Sequence, residues 1–345
     1  MPASTICFVS HCRGLSPVPS RKFGHAFFFL RYYPPRNFSN FTPNYSTMKY
    51  KLGNQYPFDD NFKAKARKHQ SLFRAEILQV DFNEYGNRLK EMDALNFLNF
   101  YPELGVIETL KGRYPKYSKG LYADMLRSEH IPFNVFAPLK KDLNLAQRVF
   151  NQLLNKIEIK TITNIEIEYA PKPASQFLDD RTSFDAFVEF LTATDEKGFL
   201  GIEVKYTEHE YKLKPDSKES KDVDSPDSLY IQISKNQNLF FSGAQSLLKS
   251  DKLRQIWRNH ILGESMLIHP SFNFKHFISV ILYPEGNNHF VEVIPEYQSL
   301  LLPNQKHKLQ GITFESYFDA LTTSNSDVAF KKWIKYLQSR YIIHP

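Results

Sequence analysis

Apolar positions recur along this chain with two different periods. From about residue 60 the spacing is helical. KARKHQSLFRAEILQVDF sets Leu72, Phe73, Ile77 and Val80 on one side, and LKEMDALNFLNFY at 89–101 continues with Leu89, Met92, Leu95 and Phe97. This predicts helix over most of 60–99. Residues 102–117 are turn-rich, with Pro102, Gly105, Gly112 and Pro115. SKGLYADMLRSEHIPFNVFAPLKKDL begins as a helix near Leu121 and meets Pro132 and Pro138, which are expected to end or kink it. LNLAQRVFNQLLNKI at 143–157 is the clearest amphipathic helix, with Leu145, Val149, Phe150, Leu153 and Leu154 on one stripe.

The period then changes to two. TITNIEIEYA at 161–170 alternates Ile165, Ile167 and Tyr169 against Asn164, Glu166 and Glu168. SFDAFVEFLTA at 183–193 alternates Phe184, Ala186, Val188 and Phe190 against Asp185, Phe187 and Glu189. FLGIEVKYTE at 199–208 sets Leu200, Ile202, Val204 and Tyr206 against Gly201, Glu203, Lys205 and Thr207. The turn TDEKG between the last two is short, so they form an antiparallel hairpin. Alternation of this kind reads first as a half-exposed strand, with Glu203 and Lys205 facing water.

Residues 212–228 are charged and nearly free of apolar residues, which predicts a mobile loop. SLYIQISKNQNLF and AQSLLKSDKLRQIWRNHILGESMLI have helical spacing, and HFISVILYPE at 276–285 reads as a buried strand. GITFESYFDALTT and DVAFKKWIKYLQSRYI predict C-terminal helices over 311–342. The order is helices, three strands, helices, a strand and helices. It predicts an α/β (α+β) fold with helices flanking a central mixed sheet, preceded by a helical N-terminal section over 60–157.

Composition adds limits. A hydrophobic share of 42% in 345 residues is that of a globular chain. No apolar run reaches the roughly 18–20 residues that a membrane-spanning helix needs, so no membrane partner is expected. The net charge of +7 suggests a polyanionic partner, but it is unevenly placed. Residues 1–58 hold no acid and seven basic residues, so the remaining 37 basic residues balance all 37 acids beyond them. Both cysteines, Cys7 and Cys12, also lie in this segment, and ordinary composition begins near Met48. Residues 1–47 therefore read as an extension, with 48–345 as one domain. A start upstream of a true first residue at Met48, an organellar transit peptide and a basic nucleic-acid-binding arm each fit that composition. With no cysteine beyond residue 12, a reducing cytoplasm is the expected location.

The chemistry sits in the hairpin. Asp185 on one strand and Glu203 and Lys205 on the next give D, seventeen residues, then E-x-K. With the flanking order of elements, this resembles the PD-(D/E)XK nuclease superfamily, whose core is helix–strand–strand–strand–helix–strand. The resemblance to that core covers about 143–285. The phrases HQSLFRAEIL, LRSEHIPFNVFAPL, SFDAFVEF, GIEVKYTE and RQIWRNHIL are similar to a bacterial restriction-endonuclease-like family within it and extend the resemblance over about 65–285. Phe184 stands where the motif's name expects Pro, a position that varies widely.

The resemblance implies a metal-dependent endonuclease that hydrolyses DNA. Paired carboxylates suit Mg²⁺, for which Mn²⁺ can substitute, because both are hard, oxygen-seeking ions. Asp185 and Glu203 are the implied ligands, with the Val204 carbonyl and Glu168 as further candidates. Lys205 is the implied catalytic amine, placed to orient or help deprotonate the attacking water. Glu129 and Glu208 are auxiliary candidates. Arg254 and Arg258 share a helix face and are candidates for binding phosphates. His260 beside Trp257 reads as a packing residue, and Arg74 and Glu76 as a pair across helices. The expected partner is DNA, with a homodimer as a candidate assembly. The alternatives are a nuclease fold that binds nucleic acid or a partner without cutting, and a structural protein whose strand charges are surface decoration.

Overall fold

The computed structural model describes residues 49–343 apart from residues 211, 215 and 216. The expected extension 1–47 lies outside them. The chain opens with helices: α1 (Asn61–Leu72), a π-helical turn (Phe73–Leu78), a hairpin of β1 (Phe82–Asn83) and β2 (Tyr85–Leu89), α2 (Glu91–Leu95), α3 (Val106–Arg113), α4 (Lys119–Ala123), α5 (Ile131–Phe136) and α6 (Leu143–Leu153). Then come β3 (Ile159–Tyr169), β4 (Phe184–Thr192), β5 (Lys197–Val204), α7 (Lys218–Asp224), α8 (Leu229–Asn236), α9 (Gln245–Leu248) and α10 (Arg254–Ile268). The chain closes with β6 (His276–Tyr283), α11 (Asn288–Leu300), β7 (Leu309–Thr313), α12 (Phe314–Ser324) and α13 (Val328–Tyr341). No helix among the described residues is long and apolar enough to cross a membrane.

Strands β3 to β7 lie in sequence order in one five-stranded mixed sheet. β3, β4 and β5 are antiparallel neighbours, whereas β6 and β7 add in parallel. Parallel pairs need a crossover, and α7–α10 and α11 supply the two here. Both faces of the sheet are covered. One packs Val188, Ile202, Val280 and Leu282 against the N- and C-terminal helices. The other packs Phe187, Phe199, Phe277 and Ile281 against α8, α10 and α11.

Several expectations are corrected. The helical spacing over 60–99 breaks at a hairpin, because Gln79 and Glu84 take left-handed backbone with φ 53° and 65°. Pro132 stands in the first turn of α5, where its missing N–H costs nothing, so it begins a helix instead of ending one. The charged stretch 212–228 contains α7, docked by the buried Val223. GIT at 311–313 belongs to strand β7 and not to the C-terminal helices. The predicted helix across 244–268 is two, α9 and α10. Arg74 does not pair across helices with Glu76. It is fully buried and donates to the carbonyls of Gly86, Val80, Lys51 and Leu52.

A buried polar hub ties α1 and α13 to the exit of β5. Arg340 of α13 donates to the Asn99 carbonyl at 2.7 Å and lies against His130 at 3.1 Å. Gln70 of α1 donates to the Arg340 carbonyl at 2.6 Å and to the Tyr206 hydroxyl at 2.8 Å. Asn287 donates to the Tyr206 carbonyl at 3.0 Å. The chain just past Lys205 is therefore fixed from both sides of the sheet.

Gly201 shows how closely β4 and β5 approach. A Cβ at this position would lie 2.4 Å from the Phe184 ring. Gly201→Ala is expected to destabilise the fold by about 1–3 kcal/mol through overpacking. Urea unfolding measures it; an unchanged midpoint would show that Phe184 can move aside freely.

Candidate active site

The register of the sheet assembles the site. Ile167 of β3 pairs with Ala186 of β4, and Ala186 pairs with Ile202 of β5. One step further along, Glu168, Asp185 and Glu203 therefore come side by side across three strands. The ladder between β4 and β5 stops at Ala186, and the Asp185 carboxylate replaces its next bond by accepting from the Val204 N–H at 2.6 Å. That substitution turns β4 out of simple alternation. Phe184 packs on Phe199 and Phe277, on the face that also carries Phe187, and not with Ala186 and Val188 as its position predicts.

Glu168 makes a similar break in β3. Its backbone is left-handed, φ 57°, a conformation that costs a non-glycine residue on the order of 1 kcal/mol. Arg113 of α3 stabilises it by donating through Nε and Nη2 to the Glu168 carbonyl at 3.2 and 2.9 Å. The Tyr114 hydroxyl lies close enough to the Glu168 carboxylate to lower its pKa. Past this kink Tyr169 stacks on Phe187 at 4.2 Å, so it lies on the face opposite to Ile165 and Ile167.

Glu203 and Lys205 are not surface decoration. They are 8% and 7% exposed. The Lys205 ammonium donates to Glu203 Oε1 at 2.6 Å and to Gln255 Oε1 at 2.6 Å. Gln255 donates back through Nε2 to the same Glu203 oxygen, and Asn259 donates to Glu203 Oε2. Gln255 and Asn259 are four apart on α10, hence on one face of it. A buried ion pair is a poor source of stability, because desolvation cancels most of the attraction. Two amides committed to it, Gln255 and Asn259, indicate that the position of the pair is what is being fixed.

The electrostatics follow from this crowding. Burial pushes the Asp185 carboxyl well above the usual carboxylate range; Glu203 and Glu168 push it further, and Lys205 and the Val204 N–H oppose them. Burial also raises Glu168, to about 7, with Tyr114 opposing and Glu203 adding. For Lys205 burial works against the charge, but Glu203, Asp185 and Glu208 outweigh it and its pKa is raised. Several acids thus share one region with one ammonium, and the imbalance suits a cation. Among the described residues no group of three or more His, Cys, Asp and Glu side chains is gathered as a ready metal cage. Mg²⁺ does not require one, since it keeps several waters and takes one or two carboxylates. Asp185 and Glu203 fit that demand.

Of the remaining expected residues only Arg258 lines the same cleft as Asp185 and Glu203. Glu208 accepts from the N–H groups of Ser128, Tyr206 and Thr207 at 3.0, 2.9 and 3.1 Å, which tethers the helical section to the end of β5. Glu129 lies in a short 3₁₀ turn and pairs with Arg127 at 2.7 Å; its charge still reaches Glu168. Arg254 pairs with Asp251 and Asp224, and Arg258 with Asp180 and Glu219, so both arginines are engaged by acids. His260 is a buried packing residue, 3.1 Å from the Tyr297 hydroxyl through Nδ1. Sequence reasoning missed Gln255 and Asn259. Their signal was two amides one turn apart in a helix otherwise filled by Ile256, Trp257, Ile261 and Leu262.

Asp185 and Glu203 line a cleft of about 670 Å³ together with Gln255, Asn259, Arg258 and Glu219 among others. A mixed sheet whose antiparallel hairpin presents an Asp and a Glu at a cleft, with a buried Lys bonded to the Glu, is the arrangement of a nuclease-like α/β protein. A family model of the PD-(D/E)XK nuclease superfamily matches residues 57–343, and the chain belongs to that superfamily. No curated protein and no solved structure matches it.

Proposed function

We propose that the protein is a metal-dependent endonuclease that hydrolyses DNA phosphodiester bonds. The observation that carries this reading is the Lys205 ammonium, held at 2.6 Å from both Glu203 and Gln255, two residues that line one cleft with Asp185. A structural protein has no need of a buried ammonium fixed in this way, and a binding protein that does not cut has no need of the Lys.

Asp185, Glu203 and the Val204 carbonyl would hold Mg²⁺ or Mn²⁺, with Glu168 as the nearest further acid. Such an ion supplies Lewis acidity and lowers the pKa of a bound water. The residues of the chain do the rest. Glu203 and Gln255 fix the Lys205 amine so that it can orient the attacking water and offset charge that develops on the phosphoryl oxygens. Gln255 and Asn259 act as positioning residues, since they hold Glu203 in one rotamer. Asp185 is held by the Val204 N–H, so its free oxygen keeps a fixed direction.

The test is cleavage of supercoiled plasmid and of single-stranded DNA in Mg²⁺, with Asp185→Ala alongside. Wild type should nick or linearise the plasmid, and Asp185→Ala should not. Cleavage retained in Asp185→Ala would remove the site from the reaction. No cleavage by wild type on a panel of varied sequences would favour a nuclease fold that binds without cutting.

A further inference from the structure

Beside the carboxylate row, Arg258 of α10 is held in an unusually fixed way. Its residue is 6% exposed. Nε donates to the Tyr230 hydroxyl at 3.2 Å, and Nη2 donates to Thr182 Oγ1 at 2.8 Å and to Asp180 at 3.2 Å. Tyr230 in turn donates to Asp180 at 2.5 Å. These partners come from α8 and from the segment that leads into Asp185, so the guanidinium is anchored to the frame of the site. Arg258 also adjoins Asn259, which holds Glu203.

The remaining nitrogen, Nη1, pairs with Glu219 of α7. The two partners differ in burial: the Arg258 side chain is 7% exposed and that of Glu219 is 40% exposed. Both line the same cleft as Asp185 and Glu203. α7 has other attachments that hold it in place. Val223 is buried in the apolar layer, and Lys249 donates to the Asp224 carbonyl at 2.6 Å. The Glu219 carboxylate is thus a partly solvated anion resting on a preorganised cation at the cleft wall. A guanidinium accepts carboxylate and phosphate oxygens with the same fork geometry. Exchanging one for the other trades one charge-assisted bond for another.

We infer that Arg258 is a binding site for a phosphodiester oxyanion of the nucleic-acid substrate, and that Glu219 occupies it until substrate arrives. This rests on the nuclease reading above for the identity of the anion. Glu219 then acts as an internal competitor: a strand that places a phosphate on Arg258 displaces it, and weaker anions do not.

Binding is measured without turnover, in EDTA, with two probes: a fluorescein-labelled single-stranded oligonucleotide and inorganic tripolyphosphate. Glu219→Gln should bind both about three- to tenfold more tightly than wild type, because it removes a competing charge of ion-pair strength. Asp222→Asn lines the same cleft and is the control for general repulsion; its gain should be clearly smaller. Adding Arg258→Lys to Glu219→Gln should abolish the gain, since an ammonium lacks the fork. If that double variant melts early, the comparison of Glu219→Gln with Asp222→Asn decides alone. Equal gains in those two variants, or no gain in Glu219→Gln, overturn the site. Wild-type cleavage with no effect of Glu219→Gln on either probe overturns it while leaving the nuclease reading intact. Tighter tripolyphosphate binding with no oligonucleotide bound or cut supports the anion site and defeats the nuclease reading.

Discussion

Lys205→Ala should lower Mg²⁺-dependent DNA cleavage by about 10²–10⁴-fold while leaving metal affinity unchanged or higher. The ammonium is not a ligand, and it competes for Glu203 Oε1, which it approaches to 2.6 Å. Removing it leaves Glu203 with only Gln255 and Asn259, both neutral. The metal-free variant should therefore be less stable than wild type, because a buried carboxylate has lost its counter-charge. Added Mg²⁺ should recover more of that loss than it adds to wild type. Lys205→Arg should not restore cleavage. The amine sits between two oxygens at 2.6 Å each, and a planar guanidinium lacks that compactness. Gln255→Ala should fall between the two, since it frees the ammonium without deleting it. Cleavage rates set beside calorimetric metal titration separate these outcomes. Undiminished cleavage by Lys205→Ala would sink the catalytic assignment of the amine.

How much of this was written in the sequence depends on how local each feature is. The hairpin that brings Asp185 to Glu203 is local: two alternating segments and a short turn define it, and alternation puts the acids at the same level. The burial of Glu203 and Lys205 is not local. It needs α10, about fifty residues away, to lie across the strand, and alternating polarity alone describes a half-exposed strand equally well. The faces of Tyr169 and Phe184 were predicted by strict alternation, which fails where Glu168 turns left-handed and where Asp185 leaves the ladder to bind the Val204 N–H. Both failures flank the carboxylate row. Regular pattern is what a sequence displays, and a site is where regular pattern is given up to aim side chains. The helix α7 was hidden for another reason. Its residues KESKDVD carry one apolar side chain, Val223, and only tertiary contact shows that this one docks.

Metal should stabilise wild type, and the two candidate ligand acids should differ before metal is added. In the metal-free protein Asp185 is desolvated by burial and repelled by Glu203 and Glu168, so its folded pKa is raised. A carboxyl of that kind contributes stability that is present below its unfolded pKa and lost as pH rises through the folded value. At a pH above the ordinary carboxylate range the raised pKa is a burden whichever form the group takes, so Asp185→Asn should melt at the same temperature as metal-free wild type or higher. The Asn carbonyl oxygen can still accept from Val204. Glu203→Gln should do the reverse, because it leaves the buried Lys205 ammonium with neutral hydrogen-bond partners only. With Mg²⁺ or Mn²⁺ at about a hundredfold excess over Kd, linkage adds about 2.7 kcal/mol to wild type. For a chain of this size that is a rise of roughly 3–6 °C. Neither variant should show it, although one starts high and the other low. Thermal melts in EDTA and in each metal read all of this in one series. Equal metal-induced rises in the three proteins would mean that the ion binds elsewhere, and Asp185 and Glu203 would then have to be explained by the packing of the strand ends alone.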